Sequence, residues 1–177
     1  MIIEKLRDLE LEGKIRGIPI LGGLKGAWLY NKVLESKPKN ILELGTANGY
    51  SGCILGSLGA KLTTIEIDKN TIEEAKINFA GFGISAEIIF GDAVDEVKKL
   101  VLENKLYDII FIDFMKSKYL SVMEDCIKLV KINGFIIADN ITFQGCINYR
   151  EAVLHHPKLK TKIIDIADGL SCSVRIN

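Results

Sequence analysis

Five acidic side chains, each standing at the end of a short apolar run, carry the chemistry that can be read from this chain. They are Glu43, Glu66, Asp92, Asp113 and Asp139. Glu43 precedes a Gly-rich turn, Gly45-Thr46-Ala47-Asn48-Gly49-Tyr50-Ser51, and Glu66 follows 23 residues after Glu43. An acid about 20 residues beyond such a turn commonly grips a ribose hydroxyl pair. The dinucleotide fingerprint places a second glycine where a pyrophosphate approaches the backbone. That place holds Ala47, which argues against a nicotinamide dinucleotide. An acid at the first strand end would repel a pyrophosphate but can hold a cation. The predicted ligand is therefore an adenosine with a positive end, S-adenosylmethionine. Taken without the acids, the glycines would equally make a tight turn that binds nothing.

A second constellation is Asp113, Asp139 and Asn140. Two carboxylates and an amide oxygen suit a hard divalent cation with open positions for water or substrate oxygens. Lys116, three residues past Asp113, would reach a substrate hydroxyl beside that cation. Spacing alone leaves another reading open, in which Asp113 and Asp139 cap helices and Lys116 is a solvated lysine. Asp-Asn at a strand end is also ordinary turn chemistry.

The elements that must position these residues alternate. Strands are predicted over residues 40–43, 62–66, 86–90, 107–113 and 134–139, and the fourth is apolar on both faces, as a central parallel strand should be. Helices are predicted over 52–58, 71–82 with Asp68 as N-cap, 94–102, 116–131 and 144–154. Before the first strand lie a weak amphipathic helix over 3–12, a loop rich in glycine, and a helix over 25–35 with Trp28, Leu29, Val33 and Leu34 inward. Residues 160–167 and 171–176, about the Asp168-Gly169 turn, read as a closing hairpin. The expected fold is α/β, a Rossmann-like, doubly wound, mostly parallel seven-stranded sheet with a C-terminal antiparallel hairpin. Ligands of such sheets bind at the carboxyl ends of the strands, so all five acids should face one crevice.

Composition sets the outer limits. At 177 residues, 48% hydrophobic and 26% charged, residues 1–177 make one domain, with 1–36 a helical segment capping the site. A formal net charge of zero carries no basic footprint for nucleic acid. No run of about 18 apolar residues predicts a membrane span. Charges fall within Met1–Asp8, where a signal peptide needs its apolar core, so the cytoplasm is the expected compartment. Cys53, Cys126, Cys146 and Cys172 stand apart with no C-x-x-C and read as small apolar residues in a reducing compartment. His155 and His156 are adjacent, point apart and read as a solvated helix end.

From about Lys25 to Ile176 the chain resembles the small metal-dependent O-methyltransferases, the family of catechol and caffeoyl-coenzyme A O-methyltransferases. The pieces are Leu-Glu-Leu-Gly-Thr-Ala-Asn-Gly-Tyr-Ser, Thr-Ile-Glu-Ile-Asp, Phe-Ile-Asp-x-x-Lys-x-x-Tyr, Ala-Asp-Asn-Ile-Thr-Phe-Gln-Gly and Asp-Gly-Leu-Ser-x-Ser. Each is modest; their order and spacing are specific. The resemblance implies magnesium on Asp113, Asp139 and Asn140, and Lys116 as the catalytic lysine. It implies Glu43, Gly45 and Ser51 at the methionine end of S-adenosylmethionine, Glu66 at the ribose, and Asp92 and Ala93 at the adenine side. Asp113 stands with the cofactor set as well. Lys25-Gly26 matches a pair near the family's site, and a homodimer is implied.

The implied reaction is methyl transfer to a hydroxyl of a small, catechol-like vicinal diol, with Phe114, Met115 and Trp28 as candidate pocket walls. Ordinary packing is the commoner role for each of those three taken singly. The Phe114-Met115 pair is nearer the catechol enzymes, but where those enzymes carry a substrate-binding carboxylate this chain has Lys162. Two rival readings follow. One is methylation of a hydroxylated tRNA base, served by a lysine patch of Lys37, Lys39, Lys158, Lys160 and Lys162. The other is a non-catalytic S-adenosylmethionine-binding module.

Overall fold

The computed structural model describes residues 2–177; Met1, the first residue of the predicted capping segment, lies outside them. The N-terminal part is helical: α1 (Ile2–Lys5), α2 (Arg7–Ile15) and α3 (Gly23–Ser36). Then β1 (Asn40–Leu44), α4 (Tyr50–Gly56), β2 (Lys61–Glu66), α5 (Lys69–Phe82), β3 (Ala86–Phe90), α6 (Ala93–Leu102) and β4 (Tyr107–Ile112) alternate. The chain closes with α7 (Tyr119–Leu129), β5 (Val130–Asp139), α8 (Ile147–His155), β6 (Leu159–Ile164) and β7 (Leu170–Arg175). The seven strands form one sheet in the order β3-β2-β1-β4-β5-β7-β6. Strands β1 to β5 run parallel, and β7 lies antiparallel between β5 and β6. The fold is the α/β sheet with closing hairpin expected from the sequence.

Burial on both faces explains why β4 reads as an unbroken apolar run: Ile109, Ile110, Phe111 and Ile112 are all 0% exposed. Ile109 and Phe111, with Ile41 and Ile137, pack on the face covered by Leu29, Val33, Ile54, Leu55 and Phe79 from α3, α4 and α5. Ile110 and Ile112, with Leu42, Leu44 and Ile136, pack under Val97, Val122, Cys126 and Tyr149 from α6, α7 and α8. Each such fully buried aliphatic side chain contributes about 1.5–3 kcal/mol relative to exposure.

Four local expectations are corrected. The predicted 3–12 helix is two helices meeting at Leu6, which is fully buried. Leu34 is 48% exposed, because the buried stripe of α3 runs through Gly26, Leu29 and Val33 at helical spacing and Leu34 falls beside it. The predicted 116–131 helix opens with a 3₁₀ turn, Lys116–Lys118, and ends at Leu129. Val130 and Lys131 already belong to β5, whose register on β4 shifts between Tyr107 and Ile109, so that Tyr107 pairs with Val130 and Ile109 with Phe135. That irregularity lengthens β5 beyond the predicted 134–139.

The strand ends carrying the acids are tied to one another. Leu44 O accepts from Asp113 N at 2.9 Å, Ile65 O from Gly45 N at 3.0 Å, and Glu66 O from Gly91 N at 2.9 Å.

Candidate active site

Beyond those strand ends lies a cavity of about 320 Å³. Gly45, Ser51, Glu66, Asp92, Ala93 and Asp113 line it, and so does Lys116. The turn after β1 is closed by Gly49 N donating to Thr46 O at 2.9 Å and by a 2.6 Å hydroxyl pair, Thr46 with Thr64. Glu66 reaches across from β2: its Oε2 accepts from Ala47 N at 3.1 Å and its Oε1 from Ile67 N and Asp68 N at 2.8 and 3.0 Å. Ala47 holds a left-handed φ of 45°, a strained conformation of the kind that collects at functional turns. Asn48 lines the cavity while 1% exposed, and its Nδ2 has no hydrogen-bond partner among the described residues. A buried amide left in that state fits a turn shaped to hold a polar ligand.

Glu43 does not line the cavity. It is fully buried, with Oε1 accepting from Ser51 Oγ at 2.6 Å and Oε2 from Thr64 Oγ1 at 2.7 Å. Burial pushes its carboxyl up to about 8, and the two hydroxyl bonds offset only part of that. Ser51 bonds Glu43 on one side and lines the cavity on the other. Asp92 caps α6 through Val94 N at 2.8 Å, and its other oxygen takes Lys118 Nζ at 2.8 Å. Lys118, followed by the Val94 amide, holds Asp92 below its ordinary value.

At the far end of the cavity Asp113 Oδ1 accepts from Lys116 Nζ at 2.5 Å, and the ammonium lies 5.6 Å from the Tyr119 ring centroid. Asp139 and Asn140 do not line the cavity, against the expectation that every acid would face it: Asp139 is 2% exposed and accepts from the buried Lys25 and from Asn140 N. Burial and then the Asp113 charge push Asp139 up, so the two carboxylates feel each other. Asn140 has a left-handed φ of 55°, and its Nδ2 donates to Asp168 Oδ2 at 2.5 Å.

The capping alternative for Asp113 and Asp139 is removed, because the residues at the cap positions of the two following turns are Met115 and Phe143 and no side chain caps either turn. Among the described residues no three His, Cys, Asp or Glu side chains converge as a metal cluster. The set here is two carboxylates and an amide. Its oxygen-only chemistry and the mutual repulsion of Asp113 and Asp139 fit a hard divalent cation.

Three features escaped sequence reasoning. Lys118 faces Asp92 with no motif to mark it. Asp168 reads only as a turn residue. Residues 19–21 line the cavity, and just after them Gly23 N donates to Glu10, which also accepts from Tyr50 Oη, at 3.2 Å each. Two candidates lie elsewhere: Trp28 and Lys162 line a separate depression with Lys32 and Phe135, so Trp28 is not a wall of this cavity. Phe114 and Met115 are.

A family model described as O-methyltransferase matches residues 21–176. Catechol O-methyltransferase of Bos taurus is 30% identical over 75% of this chain and 52% of its own length, so the match spans about half of that relative. A crystal structure from Staphylococcus aureus, provisionally named a caffeoyl-CoA O-methyltransferase, superposes with a TM-score of 0.87 at 28% identity, covering 98% of this chain and 91% of that one. The O-methyltransferase TomG from Streptomyces achromogenes, solved with S-adenosylmethionine, gives a TM-score of 0.88 over 97% and 89% of the two chains; at 20% identity it speaks for the fold.

Proposed function

The chain belongs to the O-methyltransferase family, and from that premise we propose that it moves the methyl group of S-adenosylmethionine onto a hydroxyl oxygen of a small acceptor with two adjacent hydroxyls. Magnesium or another divalent cation would be held by Asp113, Asp139 and Asn140. The observation that carries this reading is a single cavity lined by Glu66 of the ribose set as well as by Asp113 and Lys116.

The cofactor supplies an electrophilic methyl on a sulfonium. A divalent cation supplies Lewis-acid charge that makes an acceptor hydroxyl more acidic. The chain supplies the rest. Glu66 accepts from the ribose hydroxyls. Ser51, backed by Glu43, and the Gly45 backbone hold the methionine end. Asp92 and Ala93 bound the adenine side. Lys116, beside Asp113 and the Tyr119 ring, would take the acceptor's proton as the neutral amine, once a cation rather than the lysine engages the Asp113 carboxylate. Phe114 and Met115 wall the acceptor, and the capping segment 1–36 excludes water through residues 19–21. Fixed geometry between two bound reactants supplies much of the rate. Four buried, unpaired cysteines support a reducing, cytoplasmic setting, and the family likeness supports a homodimer.

The test is calorimetric binding of S-adenosylmethionine, followed by methyl transfer to 3,4-dihydroxybenzoate with and without magnesium. Binding with magnesium-dependent turnover supports the whole reading. Binding without turnover on any diol removes the acceptor class, and no binding removes the cofactor.

A specific observation favours a second acceptor. Of the lysine patch only Lys160 and Lys162 share a depression, with Trp28, Phe135 and the Lys32–Glu35 pair, and basic side chains among aromatic faces suit single-stranded RNA. A hydroxylated tRNA base would then be the acceptor, and binding would fall steeply with salt.

A further inference from the structure

Lys25 is 3% exposed, yet it is charged and lies outside the lining of the cofactor cavity. From α3 its Nζ donates to Asp139 Oδ1 and to Asp168 Oδ1, residues 114 and 143 positions away. Burying an ammonium costs several kcal/mol unless well-placed carboxylates repay it.

Asp168 completes a chain of contacts. It stands in the turn between β6 and β7, and its Oδ2 accepts from Asn140 Nδ2 at 2.5 Å. The turn is stapled to the loop after β5: Thr142 donates to Asp168 O through its N at 3.2 Å and its Oγ1 at 2.9 Å. An amide that gives its nitrogen to Asp168 turns its oxygen the other way. The lysine thus fixes Asp168, Asp168 fixes the Asn140 amide, and the amide oxygen is left free for a cation beside Asp139.

We propose that Lys25 and Asp168 are positioning residues that set the Asn140 amide oxygen and the Asp139 carboxylate for a divalent cation. This rests on the divalent-cation reading above. It assigns Asp168 an orienting role through the oxygen that accepts from Asn140, its other oxygen being held by Lys25.

The experiment titrates the full chain with Mn²⁺ by calorimetry and measures S-adenosylmethionine binding on each variant as a check on the fold. Asp168→Ala is expected to weaken Mn²⁺ binding by about 10–100-fold, the usual loss when an orienting partner of a metal ligand is removed. Asp168→Asn is equally uncharged but keeps an acceptor, and should bind clearly tighter than Asp168→Ala. Asp168→Glu keeps the charge but displaces the acceptor, and should lose about tenfold or more. In an Asn140→Ala background, Asp168→Ala should cost clearly less than in the wild-type chain, because only its contact through Lys25 to Asp139 is left to lose.

Equal loss in the Ala and Asn variants, or wild-type affinity in the Glu variant, would overturn the proposal. The Asn and Glu variants decide it even if the Ala variant fails to fold. Failure of the underlying reading looks different: wild-type protein that takes up no Mn²⁺, or Asn140→Ala with unchanged affinity, removes the cation site itself.

Discussion

Gly45→Ala is the substitution whose consequence follows most directly from the geometry. Gly45 has φ 97°, and a Cβ built on it would lie 2.2 Å from the Asp113 carbonyl oxygen, 2.9 Å from its carbon and 3.1 Å from Phe114 Cβ. Non-bonded carbon contacts sit near 3.5 Å, so the ends of β1 and β4 would have to part by about 1 Å. The bond from Asp113 N to Leu44 O at 2.9 Å holds them together. Left-handed strain costs roughly 1–2 kcal/mol and overpacking about 1–3 kcal/mol, giving a loss of about 2–5 kcal/mol. That is a large share of a domain stability of about 5–15 kcal/mol. Urea denaturation should show the midpoint falling with little change in slope. Because the displaced residue is Asp113, the folded fraction should lose S-adenosylmethionine and Mn²⁺ affinity together. Gly81→Ala is the control: no atom lies within 4 Å of its Cβ position and its φ is not positive, so the helix should gain up to about 1 kcal/mol. A Gly45→Ala loss below about 1 kcal/mol with both ligands still bound would refute the close-approach argument.

Three further outcomes are expected. Asp139→Ala should abolish magnesium-dependent methyl transfer while calorimetry still detects S-adenosylmethionine binding; equal loss of both would assign Asp139 a structural role. Glu66→Ala should weaken S-adenosylmethionine binding by about 1.5–3 kcal/mol through lost charge-assisted hydrogen bonds, and unchanged affinity would sink the ribose assignment. Glu43 sits at about 8 when folded against 4.5 as its ordinary value, so between those pH values the folded chain binds a proton that the unfolded chain has released. This group's contribution is full below about pH 4.5 and is lost as pH rises through about 8. Denaturation at a series of pH values should show that fall, and Glu43→Gln should flatten it; parallel curves would contradict the assigned burial effect.

Much of the fold was legible because its signals are local. The apolar run of β4, the Gly-rich turn after β1 and the Asp68 cap belong to stretches of a few residues, where side-chain period and turn chemistry decide the backbone. The clustering of the acids was legible too, because parallel strands deliver their following loops to one end of a sheet. Within that end, sequence could not tell which acid faces the cavity. Glu43 turns inward to Ser51 and Thr64 and Asp139 to Lys25, while Glu66, Asp92 and Asp113 stay at the wall.

The rest was decided by tertiary structure. The register shift that starts β5 at Val130 depends on its pairing with Tyr107, and Trp28 is carried to a different depression by the packing of α3. The contacts joining Lys25, Asp139, Asp168 and Asn140 unite α3, the end of β5 and the β6–β7 turn, up to 143 positions apart. Residue type and spacing are properties of neighbours along the chain. A buried ammonium shared by two distant carboxylates exists only once the sheet has closed and water has been excluded from around it.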